Sequence, residues 1–172
     1  TLTNAFHDMA NALTQNQENL RENEARFRLV MDSLDALVYV ADMETYELLF
    51  INEYGKKLFG DITGSICWQS LQSGQSGPCS FCTNKYLLDE NNNISDVYTW
   101  EFQNTVNGKW FYIQDRAITW VDGRIVRIEV ATDITKRKQA EKSLQRSNEI
   151  LEKVFSATHF LMAYMDKEFN FL

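Results

Sequence analysis

Three cysteines carry the side chains best suited to chemistry: Cys67, and then Cys79-Ser-Phe-Cys82, which follows Gly77-Pro78. Three readings fit these residue types at this spacing. Cys79 and Cys82 can form a reversible disulfide, because a C-x-x-C pair brings two sulfurs within bonding range and can activate one of them. Cys67, Cys79 and Cys82 together can offer soft thiolates to zinc or an iron–sulfur cluster. A structural zinc site takes four ligands, and the chain's histidines, His7 and His159, stand in the flanking segments. The fourth ligand would then be an acid, an exogenous group or a residue of another chain. In the third reading all three are small apolar packing residues, as free cysteines often are. A c-type haem is disfavoured because Thr83, not His, follows Cys82. An oxidoreductase built on the pair wants a βαβ context, and the surrounding pattern has none.

Two further groups can do chemistry. Trp100, Trp110, Trp120, Tyr98, Phe102, Phe111 and Tyr112 cluster in one stretch, either as the wall of a small-molecule pocket or as core. Arg116 and Arg127 each alternate with apolar neighbours. Arg116 is the candidate to meet an anionic ligand inside; the plainer reading is a cross-strand salt bridge of either arginine with Glu101, Asp115 or Glu129.

Short strands must position these groups. Ala36–Ala41 and Leu48–Ile51 are β-rich runs separated by the polar turn Asp42-Met-Glu-Thr45. Asn52–Phe59 reads as a short helix ended by Gly60. Val97–Phe102, Trp110–Trp120 and Arg124–Ile134 read as three further strands, joined by Asn107-Gly108 and Asp122-Gly123. Both dipeptides favour tight turns, because glycine accepts positive φ. In the second of these strands Phe111, Ile113, Asp115, Ala117 and Thr119 share one face; in the third, Ile125, Arg127, Glu129 and Ala131 do. The expected fold is α+β: a five-stranded antiparallel sheet with short helices on one face, flanked by long N- and C-terminal helices.

The flanks keep a different rhythm. Leu2, Phe6, Met9, Leu13, Leu20, Phe27, Val30 and Leu34 recur at alternating steps of four and three, with Asn16 and Asn23 in the same register. That heptad, unbroken by Gly or Pro, predicts one long helix whose narrow stripe suits a partner helix. Ala140, Leu144, Ser147, Leu151 and Val154 repeat the spacing over a basic segment, Lys136 to Phe155. The expected partner is a second copy of the chain, through both helices.

Composition narrows the classes. The chain has 172 residues, net charge −7, 44% hydrophobic and 13% aromatic content, and a single Pro. That is enough apolar material for a packed core and excludes collagenous or low-complexity character. The acidic balance argues against a nucleic-acid partner. No apolar run approaches the roughly 18 residues of a membrane helix. An odd cysteine count fits poorly with a disulfide-stapled secreted scaffold.

The ordered motifs together resemble a PAS domain, the sensory module of many prokaryotic signalling proteins. Glu24-Ala-Arg-Phe-Arg-Leu-Val-Met-Asp-Ser-Leu34 looks like the family's entry helix; Val40-Ala-Asp42 and Phe50-Ile-Asn52 look like its first strands; Leu58-Phe-Gly60 is a common end to the next helix. Asp133-Ile-Thr135-Lys-Arg137 resembles the D-x-T exit into a signalling helix, which assigns Asp133 and Thr135 to signal relay. The resemblance implies that the cysteines border a ligand cavity, with Cys67, Trp68 and Arg116 as ligand-binding candidates. Gly64-Ser-Ile-Cys67-Trp68-Gln-Ser-Leu71-Gln72 is similar to the flavin-adduct motif of LOV photoreceptors, but Ile66 and Trp68 replace its Asn and Arg, and Ala131 stands where a Gln is used. Flavin is therefore disfavoured. So is b-type haem, since no His lies between Phe27 and Thr135. The cofactor expectation is none, with a metal or iron–sulfur cluster next.

Leu2–Leu13 resembles the last helix of a HAMP relay, and Leu151-Glu-Lys-Val-Phe-Ser-Ala-Thr158 with Met162-Ala-Tyr-Met-Asp166 looks like the start of a second PAS domain. The implied organisation is a HAMP-like helix and coiled-coil linker at 1–23, the sensor domain at 24–137, a signalling helix at 138–153 and the second domain's start at 154–172. It implies a non-enzymatic piece of a membrane-anchored receptor, on the cytoplasmic side of the inner membrane, with a histidine kinase or diguanylate cyclase output. The alternatives are a cysteine-based redox or metal sensor and a ligand-free dimerisation spacer.

Overall fold

The computed structural model describes residues 2–157 and residue 167. The chain divides into two units, Thr1–Ile134 and Thr135–Leu172. The first opens with helix α1 (Leu2–Asp32), as expected from a stretch free of Gly and Pro. Strands β1 (Leu37–Asp42) and β2 (Leu48–Ile51) follow, then helices α2 (Glu53–Phe59) and α3 (Cys67–Ser70) and a 3₁₀ turn at Thr83–Tyr86. Strands β3 (Tyr98–Gln103), β4 (Trp110–Thr119) and β5 (Ile125–Asp133) complete the unit.

The five strands form one antiparallel sheet in the order β2-β1-β5-β4-β3. The expected α+β architecture is therefore the one found. The loops form as their residue types require: Gly108 (φ +69°) and Gly123 (φ +90°) supply the positive φ of the two tight connections. Asp42 organises the β1–β2 turn. Its Oδ1 accepts from Glu44 N and Thr45 N, each at 2.8 Å, and Arg124 Nη1 donates to its Oδ2 at 2.8 Å. Burial pushes this carboxyl up, but those donors outweigh burial and hold it at about 2.

The cavity-side face of the sheet carries the core, in which Leu37, Tyr39, Ile51, Cys67, Leu71, Phe111, Ile113 and Ala131 cluster. The alternation along β4 is as expected: Phe111, Ile113, Asp115 and Ala117 are buried, with Tyr112, Gln114 and Arg116 exposed between them.

Asn52 joins three elements. It is fully buried; its Oδ1 accepts from Val38 N (3.0 Å) and Gly55 N (3.1 Å), and its Nδ2 donates to Met31 O (3.0 Å) and Ala36 O (2.9 Å). One side chain thus caps α2 and ties it to β1 and the end of α1. Gly55, in the same turn, has no room for a Cβ, which would meet Leu37 and Ile51 side-chain carbons at 2.5 Å. Asn52→Ala is expected to cost about 3 kcal/mol, because it orphans buried backbone groups as well as removing a cap. Urea denaturation followed by circular dichroism measures it; a loss below about 1 kcal/mol would deny Asn52 this joining role.

The second unit contains helix α4 (Thr135–Ala157), close to the expected 136–155. Its surface carries i,i+4 pairs such as Arg137 with Glu141 (3.3 Å), and Leu144, Leu151 and Val154 are exposed. His159 and the motif Met162–Asp166 lie outside the described residues, as does most of the 154–172 segment.

A thiol-lined cavity as the candidate functional site

A cavity of about 50 Å³ lies between the sheet and the segment connecting α2 to β3. Space of that size admits on the order of a few waters or a small ligand group. The connecting segment contributes Cys67, Trp68, Cys79, Phe81 and Cys82; the sheet contributes Tyr39, Trp100, Phe102, Phe111, Arg127 and Glu129.

Local bonding sets each wall. Cys67 opens α3, and its N–H donates to Tyr46 O at 2.8 Å, while Leu48 N donates to Ser65 O at 2.8 Å, so the segment is laced to the start of β2. Asn104 Nδ2 donates to Leu71 O at 2.9 Å and anchors the far side of α3 to the β3–β4 loop. Cys79 and Cys82 are the ends of a turn closed by Cys82 N donating to Cys79 O at 2.9 Å. Phe81, inside that turn, packs on Phe102 (4.6 Å between ring centres) and Trp100 (6.1 Å).

Behind the thiols sits a buried charge cluster. Asp115 and Glu129 oppose each other across the β4–β5 ladder. Asp115 is fully buried, and its Oδ2 accepts from Thr83 Oγ1 and Trp100 Nε1, both at 2.9 Å. Arg127 is buried beside it: Nε lies 3.6 Å from Asp115 Oδ1, Nη2 donates to Tyr39 Oη at 2.8 Å, and Nη1 donates to Asn84 Oδ1 at 3.0 Å. Arg127 Nη1 also reaches Cys82 Sγ at 3.7 Å. Tyr39 in turn donates to Glu129 Oε2. Arg127 therefore binds the sheet to the loop that carries the cysteine pair.

The environment tunes protonation. Burial pushes Glu129 up, the neighbouring Asp115 charge adds to it, and Arg127 only partly opposes them, leaving the carboxyl at about 8. The raised Glu129 favours the protonated carboxyl, which lessens its repulsion with Asp115 across the ladder. Burial likewise raises Tyr39 and lifts Cys67 to about 11, so Cys67 stays a thiol. Cys79 is also raised by burial.

Residues 25–92 match the family model described as PAS domain, over the entry helix, β1, β2 and the cavity's loop wall. Residues 25–92 carry a PAS domain. The fold agrees. The PAS domain of an HTR-like protein from Haloarcula marismortui aligns over 70% of this chain and 99% of its own, at TM-score 0.51 and 11% identity. An RNA-binding light-oxygen-voltage receptor aligns over 73% of this chain at TM-score 0.53 and 18% identity, and the chain spans 37% of that receptor's length. A search of curated proteins finds no match. PAS domains are sensory, non-catalytic modules, and this one is read as such.

Within the PAS domain, Cys67, Trp68, Cys79 and Cys82 all line the cavity. Arg116 does not: it is exposed on the opposite face of β4, because period-two alternation turns it away from Asp115 and Ala117. Arg127 takes the interior place and pairs with Asp115 and Glu129 (3.9 Å). The thiols share a cavity without converging as metal ligands; among the described residues no group of three His, Cys, Asp or Glu could hold a metal ion. Asp133 pairs with Lys109 Nζ at 2.7 Å, bracing the end of β5 against the start of β4, and Thr135 is the first residue of α4. The cluster of Tyr39, Asp115, Arg127 and Glu129 is only half visible in the sequence: charged residues stand on a face otherwise built of Phe111, Ile113, Ala117 and Ala131, a sign of a buried pair.

Proposed function

We propose that this PAS domain is the sensor of a dimeric relay. The state of the cavity sets the packing of β5 and its neighbours, and the flanking helices of two copies carry that change to an output module. Asp133 and Thr135, at the strand-to-helix junction, are the relay residues. Residues 1–23 act as a HAMP-like helix and linker, 24–137 as the sensor, 138–153 as the signalling helix and 154–172 as the beginning of a second sensor. The whole receptor is then membrane-anchored through an upstream segment, faces the cytoplasm, and drives a histidine kinase or a diguanylate cyclase.

The observation that carries this reading is the stripe on α1. Leu13 is 57% and Leu20 69% exposed, and Met9, Phe27 and Val30 on the same heptad are exposed as well. Large apolar residues in one line along a helix of 31 residues are the seam of a paired helix, left bare in a single chain. Light scattering at micromolar concentration is expected to find a dimer. Leu13→Lys with Leu20→Lys is expected to give a monomer that keeps the far-ultraviolet spectrum of the sheet. A monomeric wild type, or a dimer that survives both lysines, would overturn pairing through α1.

A further inference from the structure

We propose that Cys79 and Cys82 are a thiol–disulfide switch in the cavity wall, oxidised by low-molecular-weight disulfides, and that the cavity thereby reads the thiol redox state of its surroundings. The proposal rests on the sensor reading of the cavity and names the stimulus.

Four observations support it. The two residues end one tight turn, closed by the 2.9 Å bond from Cys82 N to Cys79 O. Turn ends lie within about 7 Å between Cα atoms, the separation a disulfide spans. Both cysteines are free and only half-buried, whereas Cys67 is buried on α3. Arg127 Nη1, 3.7 Å from Cys82 Sγ, is the cation placed to meet negative charge on that sulfur. Finally, the turn is wired to its surroundings: Phe81 lies on Trp100 and Phe102, and Thr83 and Asn84, next in the chain, bond to Asp115 and Arg127.

The steps balance. The Cys82 thiolate attacks one sulfur of an external disulfide RSSR, forming a Cys82–S–S–R bond and expelling RS⁻, which takes up a proton. Cys79 then loses its proton and attacks Cys82 Sγ, forming the Cys79–Cys82 bond and expelling the second RS⁻, which is protonated in turn. The protein dithiol is oxidised by two electrons and RSSR is reduced to two RSH. In the disulfide, Cys82 Sγ is bonded to Cys79 and its contact with Arg127 Nη1 changes, and the tightened turn shifts Phe81 against Trp100.

The test is equilibration of the full chain in mixtures of glutathione and glutathione disulfide, then alkylation of the remaining thiols in denaturant and peptide mapping by mass spectrometry. Loss of two of the three thiols together is expected, with the Cys79–Cys82 peptide lighter by two hydrogens, reversal by dithiothreitol and a change in tryptophan fluorescence. Cys67→Ala is expected to behave like wild type, and Cys79→Ser or Cys82→Ser to stop at a glutathione adduct. Stable glutathione adducts on the wild type, bonds to Cys67, or three free thiols in pure glutathione disulfide would each overturn the switch. A dimer that never forms the disulfide removes this proposal and leaves the relay standing; a monomer that forms it does the reverse.

Discussion

Asp115→Ala is expected to destabilise the chain by about 3 kcal/mol, among the largest losses any single substitution here should produce. The residue is fully buried and serves four neighbours: Thr83 and Trp100 donate to it, Arg127 faces it at 3.6 Å, and Glu129 is its cross-strand partner. Deleting it leaves a buried guanidinium without its anion, which typically costs about 3–5 kcal/mol. The lower end applies because Glu129, relieved of the Asp115 charge, can ionise beside Arg127 in its place. Adding Glu129→Gln removes that substitute, so the double variant is expected to lose more than the two single losses added together. Urea denaturation of the four proteins closes the cycle. Simple additivity would show that the two carboxyls do not share the arginine.

Glu129→Gln alone is expected to flatten the pH dependence of stability. The Glu129 carboxyl sits at about 8 in the folded chain, up from 4.5. The folded state therefore keeps a proton that the unfolded chain releases in between. Its stabilising contribution is complete below about pH 4.5 and is lost as pH rises through about 8. Wild type is thus expected to weaken between about pH 5 and pH 9, by on the order of a few kcal/mol. Gln keeps an acceptor for Tyr39 and has no proton to lose, so its curve should be nearly level over that window. Cys67, at about 11, does not ionise within it. Midpoints of thermal unfolding across the range make the comparison, and parallel slopes for the two proteins would mean that another group is responsible.

The elements were legible because each has a local cause. Asn107-Gly108 and Asp122-Gly123 announce turns by glycine's access to positive φ, and the observed values of +69° and +90° bear this out. The alternation on β4 separates its faces without reference to any other strand. Asn52 could be recognised as a helix opener, yet its bonds to Met31 O and Ala36 O depend on where α1 ends, which no local rule supplies. Arg116 and Arg127 show the same divide. Alternation puts Arg127 on one face with Glu129, and only strand pairing shows that this face lies beside Asp115 and that Arg116 is turned away from it.

By itself, then, the order of residues determined the strands, the turns, the long flanking helices and the presence of three cysteines on one connecting segment, because these follow from propensity and period along the chain. Only the tertiary structure decided that all three thiols face one cavity, that Arg127 and not Arg116 is its cation, and that Glu129 holds its proton near neutrality. Those outcomes depend on burial and on charges brought together across as many as 90 positions of sequence, as in the Tyr39–Glu129 bond. Desolvation and Coulomb energy act through space, and the chain's local pattern does not encode the distances on which they depend.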